Sequence, residues 1–197
     1  MQTSSTSIFI PSNWLVPMDW REMFGNAQRI EVDIGCGVGS FLLWAAQTHR
    51  ETNFVGVDRL LRRLRKVDRK AQRLGLQNVR LMRVEASYLV GYLVPNASVS
   101  AYHIYFPDPW PKRRHHRHRL ICASFLSGVH RTLCDGGAVN CATDHPEYFE
   151  WIQREFRGAV GFVETKTEVL PEEARTDFEC DFLANGRQFY RCRWIKQ

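Results

Sequence analysis

The segment FPDPW, residues 106–110, places one carboxylate between two prolines and two aromatic side chains. Proline fixes its own backbone φ and lacks a donor N–H, so this segment cannot be regular helix and has little conformational freedom. A stiff loop of this kind presents Asp108 to a substrate at small entropic cost. Phe106 and Trp110 offer flat surfaces on which a planar ring can stack, although Trp110 would equally serve as core.

A run of basic residues follows this segment directly. It holds five permanent cations, three histidines and no acid, in the order Lys112, Arg113, Arg114, His115, His116, Arg117, His118 and Arg119. Beside a stiff loop such a run suits the phosphates of a nucleic acid, although basic runs are often only solvated surface. The run contains no Cys, Asp or Glu to complete a ligand set around its histidines, so we expect no metal.

A second group of candidate residues surrounds a glycine-rich turn. Its three glycines are Gly35, Gly37 and Gly39. Asp33 stands two residues before the first of them, in a short apolar run. Glycines at this point allow a tight turn from strand to helix and a close approach of a ligand to the backbone. The dinucleotide fingerprint G-x-G-x-x-G would need a glycine at position 40, which is Ser40.

Two more acids follow apolar runs farther along the chain. Asp58 ends the second run, where an acid commonly hydrogen-bonds the ribose of a nucleotide cofactor. Glu85 ends the third run, and it is placed either for a further cofactor contact or as an ordinary exposed acid at the end of a strand.

Apolar runs alternate with helical patterns along most of the chain. The strand-like runs are 29–35, 54–58, 79–85, 98–106, 137–143 and 187–195, and the helical patterns are 40–49, 59–74, 119–133 and 145–157. This alternation predicts an α/β fold, a Rossmann-like doubly wound, mostly parallel sheet with helices on both faces. Ligands of such sheets bind beyond the carboxyl ends of the strands, where the candidate acids fall. We predict one domain, 1–197, with an N-terminal extension 1–28 before a core 29–197.

Bulk composition agrees with a folded domain. The 197 residues are 44% hydrophobic and 24% charged, which is ordinary for a globular protein. The chain has 27 Lys and Arg but 21 Asp and Glu, and this excess of positive charge hints at a polyanionic partner. Six cysteines show no C-x-x-C pair, and no segment approaches the ~18 apolar residues of a membrane span. We therefore expect a reduced, cytoplasmic protein with no membrane contact.

The glycine turn and its acids resemble the first two motifs of class I S-adenosylmethionine-dependent methyltransferases, whose cofactor carries cationic groups. FPDPWPKRRHHRHRL, residues 106–120, closely resembles the signature of the tRNA (guanine-N7)-methyltransferase family. Three further segments resemble that family in the right order: MFGNAQRIEVDIGCGVGSF (23–41), ATDHPEYFEW (142–151) and RTDFECDFLANGR (175–187). The resemblance covers nearly the whole chain. It implies methyl transfer from S-adenosylmethionine to N7 of a guanosine in the variable loop of tRNA.

The resemblance also implies roles for single residues. Cofactor contacts fall on Asp33, Asp58, Glu85 and Asp108 beside the glycines Gly35, Gly37 and Gly39, and Asp108 matches the proposed catalytic residue. Substrate or RNA contacts fall on Lys112, Arg114, His115, His116, Arg117, His118, Arg119, Asp144, Thr176, Asp177, Phe178 and Glu179. The chain has Asp33 and Asp58 where the family usually has Glu, and its N-terminal segment is short. Expected partners are S-adenosylmethionine and tRNA, without a metal or an obligate protein partner, and the chain is expected to be a monomer or a homodimer.

A second basic surface is predicted on the helix at 59–74. Its cations recur at helical spacing opposite an apolar stripe, at Arg59, Arg62, Arg63, Lys66, Arg69, Lys70 and Arg73. A solvated helix face and a contact with RNA both fit this pattern.

Other functions also fit parts of the sequence. Methyltransferases that act on exocyclic amines carry (D/N)-P-P-(Y/F/W) after the fourth strand, whereas here Asp108 begins the order D-P-W-P. A non-enzymatic RNA-binding module would keep the fold and the basic surface, but it would not need the acids at 33, 58 and 108. An NAD-linked dehydrogenase is disfavoured by Ser40.

Overall fold

The computed structural model of the protein describes residues 6–167 and 169–197. Seven strands form one sheet in the order β3-β2-β1-β4-β5-β7-β6. The strands are β1 (Arg29–Ile34), β2 (Thr52–Val57), β3 (Val79–Met82), β4 (Val99–Tyr105), β5 (Leu133–Thr143), β6 (Phe162–Thr165) and β7 (Tyr190–Lys196). Strands β1 to β5 are parallel, and β7 lies antiparallel between β5 and β6.

Helices cover both faces of the sheet. They are α1 (Trp20–Phe24), α2 (Ser40–Thr48), α3 (Leu61–Arg73), α4 (Ala86–Tyr88), α5 (Ala123–Thr132), α6 (Pro146–Gly158) and α7 (Asp177–Ala184). A π-helical turn, Leu89–Leu93, continues α4, and short 3-10 segments lie at Arg113–His118 and Glu172–Ala174. Within the described residues, none of the helices is both long and apolar enough to cross a membrane.

The two faces of β1 carry different residues, because successive side chains of a strand point to opposite sides. Ile30, Val32 and Ile34 pack into the larger apolar core, which also contains residues of α5 and α6. Asp33 and Glu31 therefore point to the other face, which α2 and α3 cover. A smaller apolar core lies there, built around Phe41 and residues of α3.

The segment before β1 packs onto the domain along two of its sides. Residues Ser7 and Phe9 exchange backbone hydrogen bonds of 2.8 Å with Leu81, so the chain extends the sheet beyond β3. Met18 and Met23 are buried in the larger core. The first five residues of the predicted extension 1–28 lie outside the described residues.

The predicted fold class is confirmed, and all six predicted strands and four predicted helices are present. Four element ends were predicted wrongly by three or more residues. The strand β3 ends at Met82 instead of 85, β5 begins at Leu133 instead of 137, β7 begins at Tyr190 instead of 187, and α5 begins at Ala123 instead of 119. The elements that the sequence patterns did not predict are β6, α1, α4 and α7. Each is short, eight residues at most, so it offers too few positions for a hydrophobic period to be visible.

Candidate active site at the carboxyl edge of the sheet

The glycine turn joins β1 to α2 through three left-handed backbone positions. Gly35, Gly37 and Gly39 have φ of 78°, 57° and 81°, values that favour glycine because a Cβ would clash locally. A Cβ added at Gly35 would meet no atom within 4 Å, and one at Gly37 only a backbone oxygen at 3.8 Å. A Cβ at Gly39 would lie 2.8 Å from Val67 of α3. The first two glycines thus leave open space beside the backbone, whereas the third allows α2 and α3 to pack.

Two buried acids lie beside this turn. Asp58 is 6% exposed and accepts hydrogen bonds from the Leu60 N–H at 2.7 Å and from Arg63 at 3.4 Å. Asp33 is 4% exposed, and burial, followed by the negative charge of Asp58, raises its pKa to about 7. Two acids that repel each other at a buried site favour a cationic ligand. The open glycine turn and the acid pair fit a cofactor with cationic groups.

Glu85 lies after β3 and is the N-cap residue of α4. Its carboxylate accepts a hydrogen bond from the Tyr88 N–H at 2.9 Å and caps α4. The side chain is exposed at the same edge of the sheet as Asp58, so the cap leaves part of the carboxylate accessible.

The FPDPW segment forms a strained loop directly after β4. Phe106 and Trp110 have φ of 53° and 44°, which is rare for residues other than glycine and costs free energy. A strained backbone conformation persists only where neighbouring contacts stabilise it. One such contact is the hydrogen bond that the Phe106 N–H donates to the Ala142 carbonyl at 2.8 Å. Asp108 is exposed in this loop, which follows β4, the strand next to β1. The structure therefore places Asp108 at the same edge as the acid pair.

Arg119 differs from the rest of the basic run, because its side chain is fully buried. Its Nε donates to the Pro109 carbonyl at 2.9 Å and its Nη2 to Glu147 at 3.1 Å. The guanidinium lies over the rings of Tyr148 and Trp151, 5.0 and 4.7 Å from their centroids. The family resemblance puts this residue in the RNA-contacting set, whereas in the structure its side chain is withdrawn from the surface and joins the FPDPW loop to α6 as a clamp.

Most of the remaining residues of the run lie on the surface. The exposed members are Lys112, Arg113, Arg114, Arg117 and His118. The Trp110 ring lies 5.9 Å from His115 and 5.2 Å from His118, so it sits under this segment. His116 is half-buried against Trp151. Within the described parts of the chain, no group of three or more His, Cys, Asp or Glu is arranged to hold a metal ion.

The C-terminal stretch divides into a cap and an exposed face. Thr176 and Glu179 form a reciprocal capping box at the start of α7, and the buried Glu179 carboxylate pairs with Arg191 of β7. Asp177 accepts a hydrogen bond from Ser40, which ties α7 to the start of α2. Phe178 is 55% exposed, and its ring lies 5.8 Å from that of Phe106.

Two features of this edge were missed by the sequence reasoning. Arg187 pairs with Asp144 at 2.9 Å and lies over the ring of Phe182, 4.4 Å from its centroid. Phe182 and Phe189 complete an aromatic cluster around Phe106, with ring centroids 5.4 and 6.0 Å away. The only sequence signal for this cluster is the recurrence of Phe at positions 178, 182 and 189. Nothing in the sequence indicated the ion pair between Asp144 and Arg187.

A separate cavity of about 290 Å³ lies on the face of the sheet between α2 and β7. Its walls include His103, whose Nε2 is 2.9 Å from the Glu31 carboxylate, and Asn140. Burial raises the pKa of Glu31, but the hydrogen bond and charge of His103 outweigh it and leave the pKa below its usual value. The cavity extends to Arg29 at the amino end of β1, away from the glycine turn.

Comparison with known proteins agrees with this arrangement. A family model described as a putative methyltransferase matches residues 27–192. A tRNA (guanine-N(7)-)-methyltransferase of Geobacter metallireducens is 31% identical over 100% of this chain and 95% of its own. The enzyme of that name from Geobacillus kaustophilus is 32% identical over 90% of this chain and 83% of its own.

Solved structures show the same fold at lower identity. The 16S rRNA methyltransferase KamB superimposes with a TM-score of 0.67 at 17% identity, covering 90% of this chain and 92% of that one. Fold likeness, the family model and the relatives of similar length agree with one another. The chain belongs to the tRNA (guanine-N7)-methyltransferase family.

Proposed function

We propose that this protein transfers the methyl group of S-adenosylmethionine to N7 of a guanosine in the variable loop of tRNA. The observation that carries the proposal is the meeting of three features at one edge of the sheet. These are the open glycine turn with its buried acid pair, the strained loop that presents Asp108, and the exposed cations that follow this loop. Relatives that match nearly the whole chain are named tRNA (guanine-N(7)-)-methyltransferase.

The acid pair suits the cofactor's charges. S-adenosylmethionine, when bound, supplies an electrophilic methyl group and brings an amino group and a sulfonium, both cationic. Ionised Asp33 would balance this charge, and Asp58 would accept hydrogen bonds from the ribose hydroxyls. Both side chains are one methylene shorter than the Glu usual in the family. The backbone at Gly35 and Gly37 stays open to a ligand.

Asp108 meets the other demand of the reaction, because positive charge appears on the guanine ring as N7 is methylated. N7 is an in-plane acceptor with a free lone pair, so its reaction requires no base to remove a proton. A fixed carboxylate beside the ring stabilises the developing charge and can accept hydrogen bonds from the base. The exposed ring of Phe178, next to Phe106, offers a surface on which the base can stack.

Asp108→Asn is expected to lower methyl transfer by about a hundredfold or more, because a neutral amide cannot balance charge on the ring. Cofactor affinity should fall far less, since Asp33 and Asp58 remain. Single-turnover methylation and equilibrium cofactor binding measure the two effects separately. Near-normal turnover in this variant would remove Asp108 from the catalytic role.

The direct test is methyl transfer from labelled S-adenosylmethionine to unmodified tRNA, followed by digestion to nucleosides. We expect the label in 7-methylguanosine, located in the variable loop by nuclease mapping. Label in an N2- or N6-methylated nucleoside would instead assign the enzyme to exocyclic amines. Saturable cofactor binding without any transfer to tRNA would contradict the proposed acceptor. Action on tRNA in the cytoplasm fits a chain whose six cysteines are all free thiols.

A further inference from the structure

The positive charge of this protein is concentrated on one helix. Residues 59–73 contain eight of the 27 Lys and Arg but one of the 21 Asp and Glu, a net charge of +7. The rest of the chain therefore holds 19 basic and 20 acidic residues, a net charge of −1. The whole excess of positive charge, +6, thus comes from α3 and the two residues that precede it.

The structure directs these cations outward. Leu64, Val67 and Ala71 are completely buried in the smaller core and fix the orientation of α3. All eight basic side chains from Arg59 to Arg73 are exposed. The single acid, Asp68, is 9% exposed and accepts hydrogen bonds from the N-terminal segment and from Gln72, so its carboxylate lies beneath the exposed cations and not among them.

Most of these cations lack a counter-charge among the residues that the structure describes. Two of the eight have partners: Arg63 lies 3.4 Å from Asp58, and Lys70 donates to the Val38 carbonyl at 3.2 Å. The other six form the α3 basic face, and none of them makes an ion pair with any described residue: Arg59, Arg62, Arg65, Lys66, Arg69 and Arg73. Like charges four residues apart, such as Arg62 with Lys66, destabilise a helix by about 0.2–0.5 kcal/mol per pair. A solvated face normally mixes both signs, so this face indicates a polyanionic partner.

The position of α3 relates this face to the active site. The helix begins just after Asp58, at the same edge as the glycine turn, and Lys70 contacts that turn. Only β1 separates β2 from β4, so the strands that lead to α3 and to the FPDPW loop are about 10 Å apart. The carboxyl edge of β1, β2 and β4, where this fold class binds its ligands, is called the cleft. The α3 basic face and the basic run at 112–118 follow the strands on the two sides of β1 at this edge.

We propose that the α3 basic face binds the sugar–phosphate backbone of the tRNA substrate at a point away from the target nucleotide. The inference rests on the proposed function, and it adds a second anchoring surface to the basic run. RNA fits better than an anionic membrane, because membrane-binding helices insert their apolar face, and the apolar stripe of α3 is already buried in the core.

The test compares two quadruple variants that lose equal charge. The first neutralises the face with Arg62→Gln, Arg65→Gln, Lys66→Gln and Arg69→Gln. The matched control replaces exposed arginines away from the cleft, with Arg21→Gln, Arg50→Gln, Arg154→Gln and Arg157→Gln. The dissociation constant for tRNA is measured for each protein from about 50 to about 300 mM salt, a range over which phosphate contacts weaken strongly. Cofactor binding and thermal melting verify that both variants are folded.

Each phosphate contact contributes about 0.7–0.9 to the slope of log affinity against log salt. We expect the first variant to lose about 2–3 from this slope and to bind tRNA at least tenfold more weakly at about 100 mM salt, while the control stays within about threefold of the wild type. Equal slopes in the two variants would overturn the inference. So would loss of binding to phosphatidylserine vesicles with unchanged binding to tRNA.

The same samples separate this inference from the proposed function. If the wild type forms 7-methylguanosine and the first variant keeps its slope, only the role of α3 fails. If the wild type binds tRNA with a steep slope that depends on α3 but forms no 7-methylguanosine, the proposed reaction fails and the binding surface stands.

Discussion

At the scale of single residues, Asp33 shows that a side chain placed to bind a ligand can lower the stability of the folded chain. The carboxyl ionises near its ordinary pKa of 3.8 in the unfolded chain, but burial raises the pKa to about 7 in the folded one. Its contribution to stability is therefore complete below about pH 4 and is lost as the pH rises towards about 7. The free energy that burial costs the ionised form becomes available to a cationic ligand that restores a favourable charge balance.

The raised pKa of Asp33 predicts a pH dependence for cofactor binding. Affinity for S-adenosylmethionine should rise from about pH 5.5 to about pH 8, because the ionised form of Asp33 binds the cationic groups. Asp33→Asn should weaken binding strongly at every pH and remove the dependence. The same variant should melt at a higher temperature than the wild type at about pH 8, and at a similar temperature at about pH 4. Calorimetry at several pH values measures both quantities, with Asp144→Asn as a carboxylate control away from the turn.

Wild-type affinity that stays constant from about pH 5.5 to about pH 8 would contradict the assignment of Asp33. A shift of the same size in Asp144→Asn would also contradict it, because Asp144 is paired with Arg187 beyond β5 and not with the glycine turn.

Two arginines of one basic run should respond differently to substitution. Arg119→Lys loses the planar fork that joins the Pro109 carbonyl to Glu147, so we expect a fall in kcat and a loss of about 1–3 kcal/mol of stability. Arg117→Lys keeps an exposed charge and should change neither. Steady-state kinetics and urea unfolding measure the two effects. If Arg119→Lys raises only the KM for tRNA and leaves kcat and stability unchanged, Arg119 acts through RNA and not as a clamp.

At the scale of elements, the third glycine of the turn controls helix packing. Gly39→Ala adds a Cβ at φ 81°, 2.8 Å from a methyl group of Val67. Left-handed strain of about 1–2 kcal/mol and overpacking of about 1–3 kcal/mol should lower the free energy of unfolding together. Gly37→Ala shares the positive φ but has open space around it, so only the strain should appear.

A double-mutant cycle with Val67→Ala separates the two contributions. Removing both methyl groups should relieve the clash and make the double variant more stable than the sum of the single changes. Urea unfolding of the four proteins gives the coupling energy. Strict additivity would show that Gly39 is required for backbone conformation alone.

Elements differed in how far the sequence could predict them. The strands that carry the site acids are predictable because they are apolar, regularly spaced and followed by helices, and the residues after them do lie at one edge. The helix α7 was missed, although Thr176 and Glu179 carry its capping-box spacing. It has only eight residues, and the exposed Phe178 and Leu183 further obscure its amphipathic period. The clamp by Arg119 could not be predicted, since a buried and an exposed arginine look alike in a basic run.

At the scale of the whole molecule, the sheet brings distant segments of the chain to one cleft. Asp33, Asp58 and Asp108 come from three neighbouring strands, and α7 reaches the same edge from the C-terminal third of the chain. Parallel order and strand ends follow from general rules of α/β sheets, so the cleft was predictable in outline. The aromatic cluster and the ion pairs Asp144–Arg187 and Glu179–Arg191 depend on tertiary packing, which a single sequence does not encode in any local pattern.

This arrangement predicts that the correct cofactor stabilises the entire domain. A ligand at about a hundred times its dissociation constant adds about 2.7 kcal/mol to the free energy of unfolding. For a chain of this length that raises the melting temperature by about 5–10 °C. We expect this shift with S-adenosylmethionine and none with NAD, because the glycine turn ends in Ser40 and lacks the third glycine of the dinucleotide fingerprint. In Asp58→Asn the shift should be smaller, since a ribose contact is lost. Stabilisation by NAD but not by S-adenosylmethionine would contradict the assignment of this cleft and support a dehydrogenase instead.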